Sequence, residues 1–327
     1  MPEKRFIEAI RDGLREELAA SDEVFLIGQD IGINGGVFRV TDGLSAEFGP
    51  ERVIDSPLAE SGIVGVAIGA AMNGMRPIVE IQFADFIFPA FNQVVSEAAR
   101  MYYRTNGDYT VPMVIRAPYG GGVRGGLYHS QSVEAYFAHV PGLKVVVPSN
   151  PHDAKGLLKA AIRDDNPVLF FEHKRAYNTV QGEVSEVDYT VPIGEASVPR
   201  EGQQLSLISY GLSVHHCLEA AEKLSAEGIS CEVVDLRTVR PLDTNTILKS
   251  VKKTGRVCIV HEDNLTGGVG AEVAAIIAKD AFEFLDAPIQ RVAAPDVPSF
   301  PYNPVLEDEL LPGPADVIQA ARDLAAY

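Results

Sequence analysis

The feature that most constrains this chain is a recurring unit: an apolar run of strand length without strict alternation, followed by a segment of helical periodicity. EVFLIG, RPIVEIQF, VPMVIRAP, LKVVVPS and PVLFFEH come first, separated mainly by helix-like stretches such as PAFNQVVSEAARMYYR and PHDAKGLLKAAIRD. Runs that do not alternate suit strands buried on both faces, and that is the mark of a parallel sheet covered by helices. A second set follows: LSLISYG, SCEVVDLR, RVCIVHED and PIQRVAAP, with helices in VHHCLEAAEKLSAEG, NTILKSVKK, AEVAAIIAKDAFEF and PADVIQAARDLAAY. The expected fold is α/β, with two doubly wound, mainly parallel-sheet domains. The polar stretch YNTVQGEVSEVDYTVPIGEA reads as their connection, which sets the domains at 1–190 and 191–327. Neither half repeats with a fixed period.

Composition narrows the function. A chain of 327 residues, 46% hydrophobic, has enough apolar surface for two cores. No run approaches the ~18 apolar residues of a membrane span. The opening MPEKRFIEAIRDGLREEL reads as an amphipathic helix of mixed charge rather than a signal peptide, so the expected location is the cytoplasm or an organelle matrix. A net charge of −17 argues against nucleic acid and anionic membranes, which need a basic patch. Cys217, Cys231 and Cys258 have no C-x-x-C spacing, and two lie in apolar strand-like runs, where a thiol behaves as a small hydrophobe.

In α/β sheets, ligands bind beyond the carboxyl ends of the strands, so the loops there carry the candidates. FADFIFPAF sets Phe83, Phe86, Phe88 and Phe91 around Gln82 and Asp85. Each Phe could be core, yet an aromatic beside a polar pair also suits a flat heterocycle. APYGGGVRGGLYHSQS places five glycines ahead of His129, whose polar neighbours Ser130 and Gln131 suit a catalytic or substrate-contacting role. HEDNLTGGVGAEVAA invites a dinucleotide reading, but the third fingerprint position falls on Val273, so a tight helix entry is the better account. No H-E-x-x-H, Cys/His set, calcium loop or G-x-S-x-G is present. Glu60 heads ESGIVGVAIGAAM, a helix so apolar that it should be buried, with Glu60 buried alongside it and its carboxyl raised; the alternative is a helix cap.

The run from GQDIGINGGVF to EIQFADFIFPAF, with YHSQSVEAYFAH, PSNPHDAKGLLKAAIRDDNPVLFFEHKRAY and VVDLRTVRPLD, resembles the β subunit of the thiamine diphosphate-dependent 2-oxo acid dehydrogenases across nearly the whole chain. The resemblance implies a transketolase-like pyrimidine-binding domain followed by a transketolase C-terminal-like domain. It implies oxidative decarboxylation of 2-oxo acids with reductive acylation of lipoyl groups on an acyltransferase. FADFIFPAF with YHSQSVEAYFAH looks more like the branched-chain branch; RVAAPD looks equally like the pyruvate or acetoin branch; a non-catalytic scaffold is the alternative from another class.

By the same resemblance, Glu60 matches the glutamate that hydrogen-bonds the pyrimidine nitrogen of thiamine diphosphate. Phe86 matches the aromatic at that ring, Gln82 a polar position beside it, and His129 the histidine that assists acyl transfer to lipoyl. Val111, Met113, Ala161, Asp164 and Asn166 match positions that hold potassium in the family. Asp286 and the carboxylate of Tyr327 match the contact with the acyltransferase. The G-D-G…N-N motif that holds magnesium and diphosphate is missing, since Gly107-Asp108 is followed by Tyr109. That half of the site, magnesium included, is expected from an α subunit in an α2β2 assembly.

Overall fold

The computed structural model describes residues 1–327, and its chain divides into two compact units, Met1–Tyr119 with Tyr136–Ile193, and Gly120–Ala135 with Gly194–Tyr327. The glycine-rich segment that carries His129 thus belongs to the second unit. No helix is long and apolar enough to cross a membrane.

In the first unit, β1 (Val24–Gly28), β2 (Val53–Asp55), β3 (Arg76–Glu80), β4 (Val114–Tyr119), β5 (Lys144–Val146) and β6 (Val168–His173) form a parallel sheet in the order β5-β6-β4-β3-β1-β2. Strands β1, β4 and β6 are buried at every residue, as expected of mainly apolar runs without alternation. Helix α1 (Phe6–Ala20) packs on α3 (Pro151–Arg163), and both carry a clear apolar stripe: Phe6, Ile10, Leu14 and Leu18 on one, Ala154, Leu157, Leu158 and Ile162 on the other. The α3 entry is set by Asn150, whose side chain accepts from the Asp153 amide, and by Pro151 in the first turn.

Three expectations need correction here. The stretch PAFNQVVSEAARMYYR is no regular α-helix: it passes from a 3-10 turn (Phe88–Ala90) through a π-turn (Gln93–Glu97) and a second 3-10 turn (Ala98–Arg100) into a short α-turn (Met101–Arg104). The segment after Tyr177 is not a free connection. Gln181–Glu183 pairs antiparallel with Glu3–Arg5, Val184 and Val191 are buried, and the Tyr189 ring stacks on His152 with centroids 4.6 Å apart. Nor is helix α2 (Glu60–Met72) wholly buried. Ile63, Val64, Ala67, Ile68 and Ala71 face the core, while Gly62, Gly65, Val66 and Gly69 face outward, with Val66 59% exposed.

The second unit has a sheet of β7 (Ser197–Arg200), β8 (Leu205–Ser209), β9 (Cys231–Asp235), β10 (Val257–Asn264) and β11 (Gln290–Ala294), ordered β11-β10-β8-β9-β7. All neighbours are parallel except the edge pair β7/β9. Helices α4 (Ser213–Ser225) and α5 (Pro314–Ala325) pack together over a core of Leu205, Leu207, Val233, Val260, Leu224 and Val317. The three cysteines are free and buried, and burial pushes the Cys258 thiol up to about 12.

Candidate active site

The register of the first sheet gathers one set of candidates. Gly28, Asp55 and Glu80 are direct partners at the carboxyl ends of β1, β2 and β3. The chain just beyond these three residues supplies Asp30, Glu60 and Gln82. Gln82 Nε2 donates to Asp30 Oδ2 at 3.2 Å, and the Asp55 carboxylate accepts the Gly32 amide at 2.7 Å, which folds the β1 loop over the strand ends. Gly28 must be glycine, because a Cβ there would sit 2.7 Å from the Glu80 carbonyl. Phe86 is half-buried in a 3-10 turn and meets Phe83 edge-on, with centroids 5.5 Å apart. Phe83 in turn meets Phe38 at 5.2 Å.

Glu60 begins α2 and is half-buried, not enclosed as its sequence suggests. Helix α2 buries one side only, so its first residue borders open surface on the other. At this place the partial positive charge of the helix terminus favours a carboxylate. The set Glu60, Gln82 and Phe86 therefore combines an acceptor, an amide and an aromatic surface at neighbouring strand ends. That donor set fits a flat heteroaromatic ring with a ring nitrogen and an amino group.

Beneath these loops lies a network that the sequence reading missed. Arg116, fully buried on β4, donates from Nη1 to Glu80 Oε2 at 2.6 Å. It also donates from Nε and Nη2 to the two oxygens of Glu172, at 2.6 and 2.7 Å. Tyr177 donates its hydroxyl to Glu172 Oε2 at 2.5 Å. Burial, with the Glu172 charge added, holds the Glu80 carboxyl above its ordinary range despite Arg116. Burial and then the Glu172 charge push the Tyr177 hydroxyl well up. Burial alone would lower Arg116, but Glu172 and Glu80 outweigh it and keep the guanidinium charged. Glu80 Oε1 lies 2.8 Å from where a Cβ of Gly36 would stand, so the network supports the β1 loop directly. A lone Arg and two Glu in separate apolar runs gave the only signal, and that signal appears only once the strands are placed in register.

The residues matched to a potassium site lie around the turn after α3 and on the strand entry beside it, and several of their carbonyls already accept one hydrogen bond. Arg76 donates to the Ile162 and Asp164 carbonyls at 3.0 and 3.1 Å, Val168 to Met113 at 3.0 Å, and Met113 to Val111 at 2.9 Å. The Asp164 amide bonds Ala161, the Asp164 carboxylate pairs with Lys144, and its Oδ1 takes the Asn166 amide at 2.9 Å. Arg76 and Lys144 are the protein cations on this turn. No group of three His, Cys, Asp or Glu suited to a metal is present in the chain.

In the second unit His129 is half-buried just after a 3-10 turn (Gly126–Tyr128). Its loop is held by acidic residues. Glu262 accepts the Gly121 amide at 2.6 Å and the Ser132 hydroxyl at 3.1 Å, and Glu134 accepts from the Tyr210 hydroxyl at 2.8 Å. Glu134 is fully buried, and burial together with Asp263 raises its carboxyl well above the ordinary range. Asp286 is exposed beside the turn Phe282–Phe284, where Lys252 Nζ lies 5.1 Å above the Phe284 ring. Tyr327 is exposed at the end of the last helix. His261 is buried and packs under the first turn of the helix Val269–Asp280, where a Cβ on Gly268 or Gly270 would strike its ring. The glycines of HEDNLTGGVG thus serve a close helix entry.

These two units belong to known domain families. Residues 3–180 match the transketolase pyrimidine-binding domain and residues 194–317 the transketolase C-terminal domain. A solved chain described as a split-gene transketolase, inactive beta4 tetramer, shares the fold over 98% of both chains, with a TM-score of 0.80 and 25% identity. The 2-oxoisovalerate dehydrogenase subunit beta of Bacillus subtilis (strain 168) is 57% identical over 98% of both chains. The pyruvate dehydrogenase E1 component subunit beta of the same organism is 49% identical over the full length of both, and that of Staphylococcus aureus (strain Mu50 / ATCC 700699) is 46% identical. The chain belongs to the β subunits of the 2-oxo acid dehydrogenase E1 component.

Proposed function

We propose that this chain is the β half of a branched-chain 2-oxo acid dehydrogenase and contributes the pyrimidine side of a thiamine diphosphate site. Glu60, Gln82 and Phe86, on the segments that follow the in-register strand ends Asp55 and Glu80, are the observation that carries this reading. In it, Glu60 would hold the pyrimidine through a hydrogen bond and share a proton with it, Phe86 would offer the ring an aromatic face, and Gln82 would orient the neighbouring polar groups. When bound, the cofactor supplies the electron sink for decarboxylation. His129 handles the proton at the acyl unit as it passes to lipoyl.

The chain has no diphosphate motif, so an α subunit supplies that half, with magnesium, in an α2β2 assembly. The outward Gly62–Gly65–Val66–Gly69 face of α2 supports this, since small side chains permit close packing against a partner. The relative that forms an inactive beta4 tetramer suggests the same dependence. Asp286 and Tyr327 dock the lipoyl-bearing acyltransferase by charge pairing that weakens with salt.

The higher identity to the 2-oxoisovalerate relative, 57% against 49%, favours a branched substrate. The test is the reconstituted enzyme assayed with 3-methyl-2-oxobutanoate and with pyruvate. A higher kcat/KM for the branched acid is expected, and a preference for pyruvate would move the chain to the pyruvate branch.

A further inference from the structure

We propose that Glu307 is a positioning residue that fixes the glycine loop carrying His129 in the one shape that permits acyl transfer; the functional part rests on the reading of His129 given above. Glu307 is on a short helix (Pro304–Leu310) whose entry is fixed by Asn303, its side chain accepting the Val305 and Leu306 amides at 3.0 and 3.3 Å. The Glu307 side chain is fully buried, a costly place for a carboxylate unless it is well paired. The hydrogen bonds its carboxylate accepts come from the glycine loop. It accepts the Gly122 amide at 2.9 Å, the Arg124 amide at 3.3 Å, and the Arg124 guanidinium. Asp308, the next residue, takes the same guanidinium at 2.9 and 3.2 Å.

The loop needs this support. Gly120, Gly122 and Gly126 have φ of +91°, +76° and +63°, and Arg124, with a full side chain, is held at +62°. A glycine-rich segment in this conformation has the most backbone freedom to lose on ordering, and a left-handed arginine persists only when its surroundings enforce it. Glu307 captures both ends of Arg124, its amide and its guanidinium, and so enforces it. The Tyr302 ring closes the other side, where any Cβ on Gly126 would overlap it. The His129 amide bonds back to the Gly126 carbonyl at 3.5 Å, and a Cβ on Gly125 would strike His129, so the imidazole is placed by the loop's shape. Glu262 and Glu134 hold the loop's base and exit, while Glu307 alone among these three grips its strained middle.

The test uses the assembled enzyme with its α subunit and cofactor. In Glu307→Gln, a neutral amide replaces a charge-assisted acceptor, so hydrogen exchange at the amides of Gly122 and Arg124 should speed up about tenfold. Lipoyl acylation should fall by a similar factor, while decarboxylation read with an artificial electron acceptor stays within about twofold. Arg124→Ala should shift both readouts the same way by a smaller amount, and it decides the question if Glu307→Gln does not fold. Unchanged exchange overturns the proposal. So does faster exchange with both activities intact, because the loop's shape would then not matter to the reaction. Faster exchange with equal loss in both assays overturns the acyl-transfer part, and His129→Ala in the same two assays then shows whether the reading of His129 fails with it.

Discussion

Replacing Arg116 by methionine removes the only cation between Glu80 and Glu172, two carboxylates with almost no exposure. The variant loses three hydrogen bonds of 2.6 to 2.7 Å and leaves Tyr177 as the remaining donor, to one of the four carboxylate oxygens. Breaking a buried ion pair from one side costs about 3–5 kcal/mol, because the remaining charge stays desolvated. For a unit of this size, that is a drop of roughly 6–20 °C in its melting step.

The sign with pH follows from Glu80. Its folded-state carboxyl already lies above the ordinary value through burial, and without Arg116 it rises further. A raised carboxyl gives stability that is fully present below the unfolded pKa and lost as pH rises through the folded one. The deficit of Arg116→Met should therefore be largest at neutral pH and narrow on acidification. Calorimetric melting at several pH values measures it. The triple variant Arg116→Met, Glu80→Gln, Glu172→Gln, which removes both stranded charges, should recover most of the loss. A deficit below about 1 kcal/mol, the size of a surface pair, would refute the reasoning. A deficit independent of pH, or a triple variant no better than the single, would refute it too.

Glu60→Gln should leave folding nearly intact and lower activity about 10²–10⁴-fold, the usual worth of a general acid–base group; steady-state assay with saturating cofactor checks this, and a loss of only a few-fold would contradict the role. His129→Ala should depress lipoyl acylation more than decarboxylation to an artificial acceptor, and equal losses would mark it as structural. Asp263, raised by burial and by Glu262 to about 6 from 3.8, contributes stability that is present below the lower value and lost as pH rises through the higher one. Asp263→Asn should therefore flatten the denaturant midpoint against pH across that window, and an unchanged profile would exclude it as the cause.

The strands were legible because β1, β4 and β6 are buried throughout and their sequences do not alternate between apolar and polar, Arg116, Glu172 and His173 being the exceptions within them. The helices α1 and α3 were legible through their apolar stripes. The stretch 89–104 was not: its apolar spacing is close to helical, and only packing of α2 against it shows where the backbone widens at Gln93–Glu97. Glu60 was found as an oddity, yet its burial was misjudged, because an apolar helix of small residues reads the same whether this chain or a partner covers its second face. Arg116 and Glu307 escaped notice for another reason. Each acts on residues far away in sequence, Glu172 and Glu80 for one and the loop near Gly122 for the other, and no local spacing signals such a pairing.

On the function proposed above, this chain holds half of a cofactor site and needs a second subunit for the rest. Titration calorimetry of the isolated chain with thiamine diphosphate and magnesium tests it most directly. No tight binding is expected from the chain alone, and addition of the α subunit should restore both binding and decarboxylation. Tight binding by the isolated chain would contradict the account, because it would require a diphosphate site that Glu60, Gln82 and Phe86 do not provide.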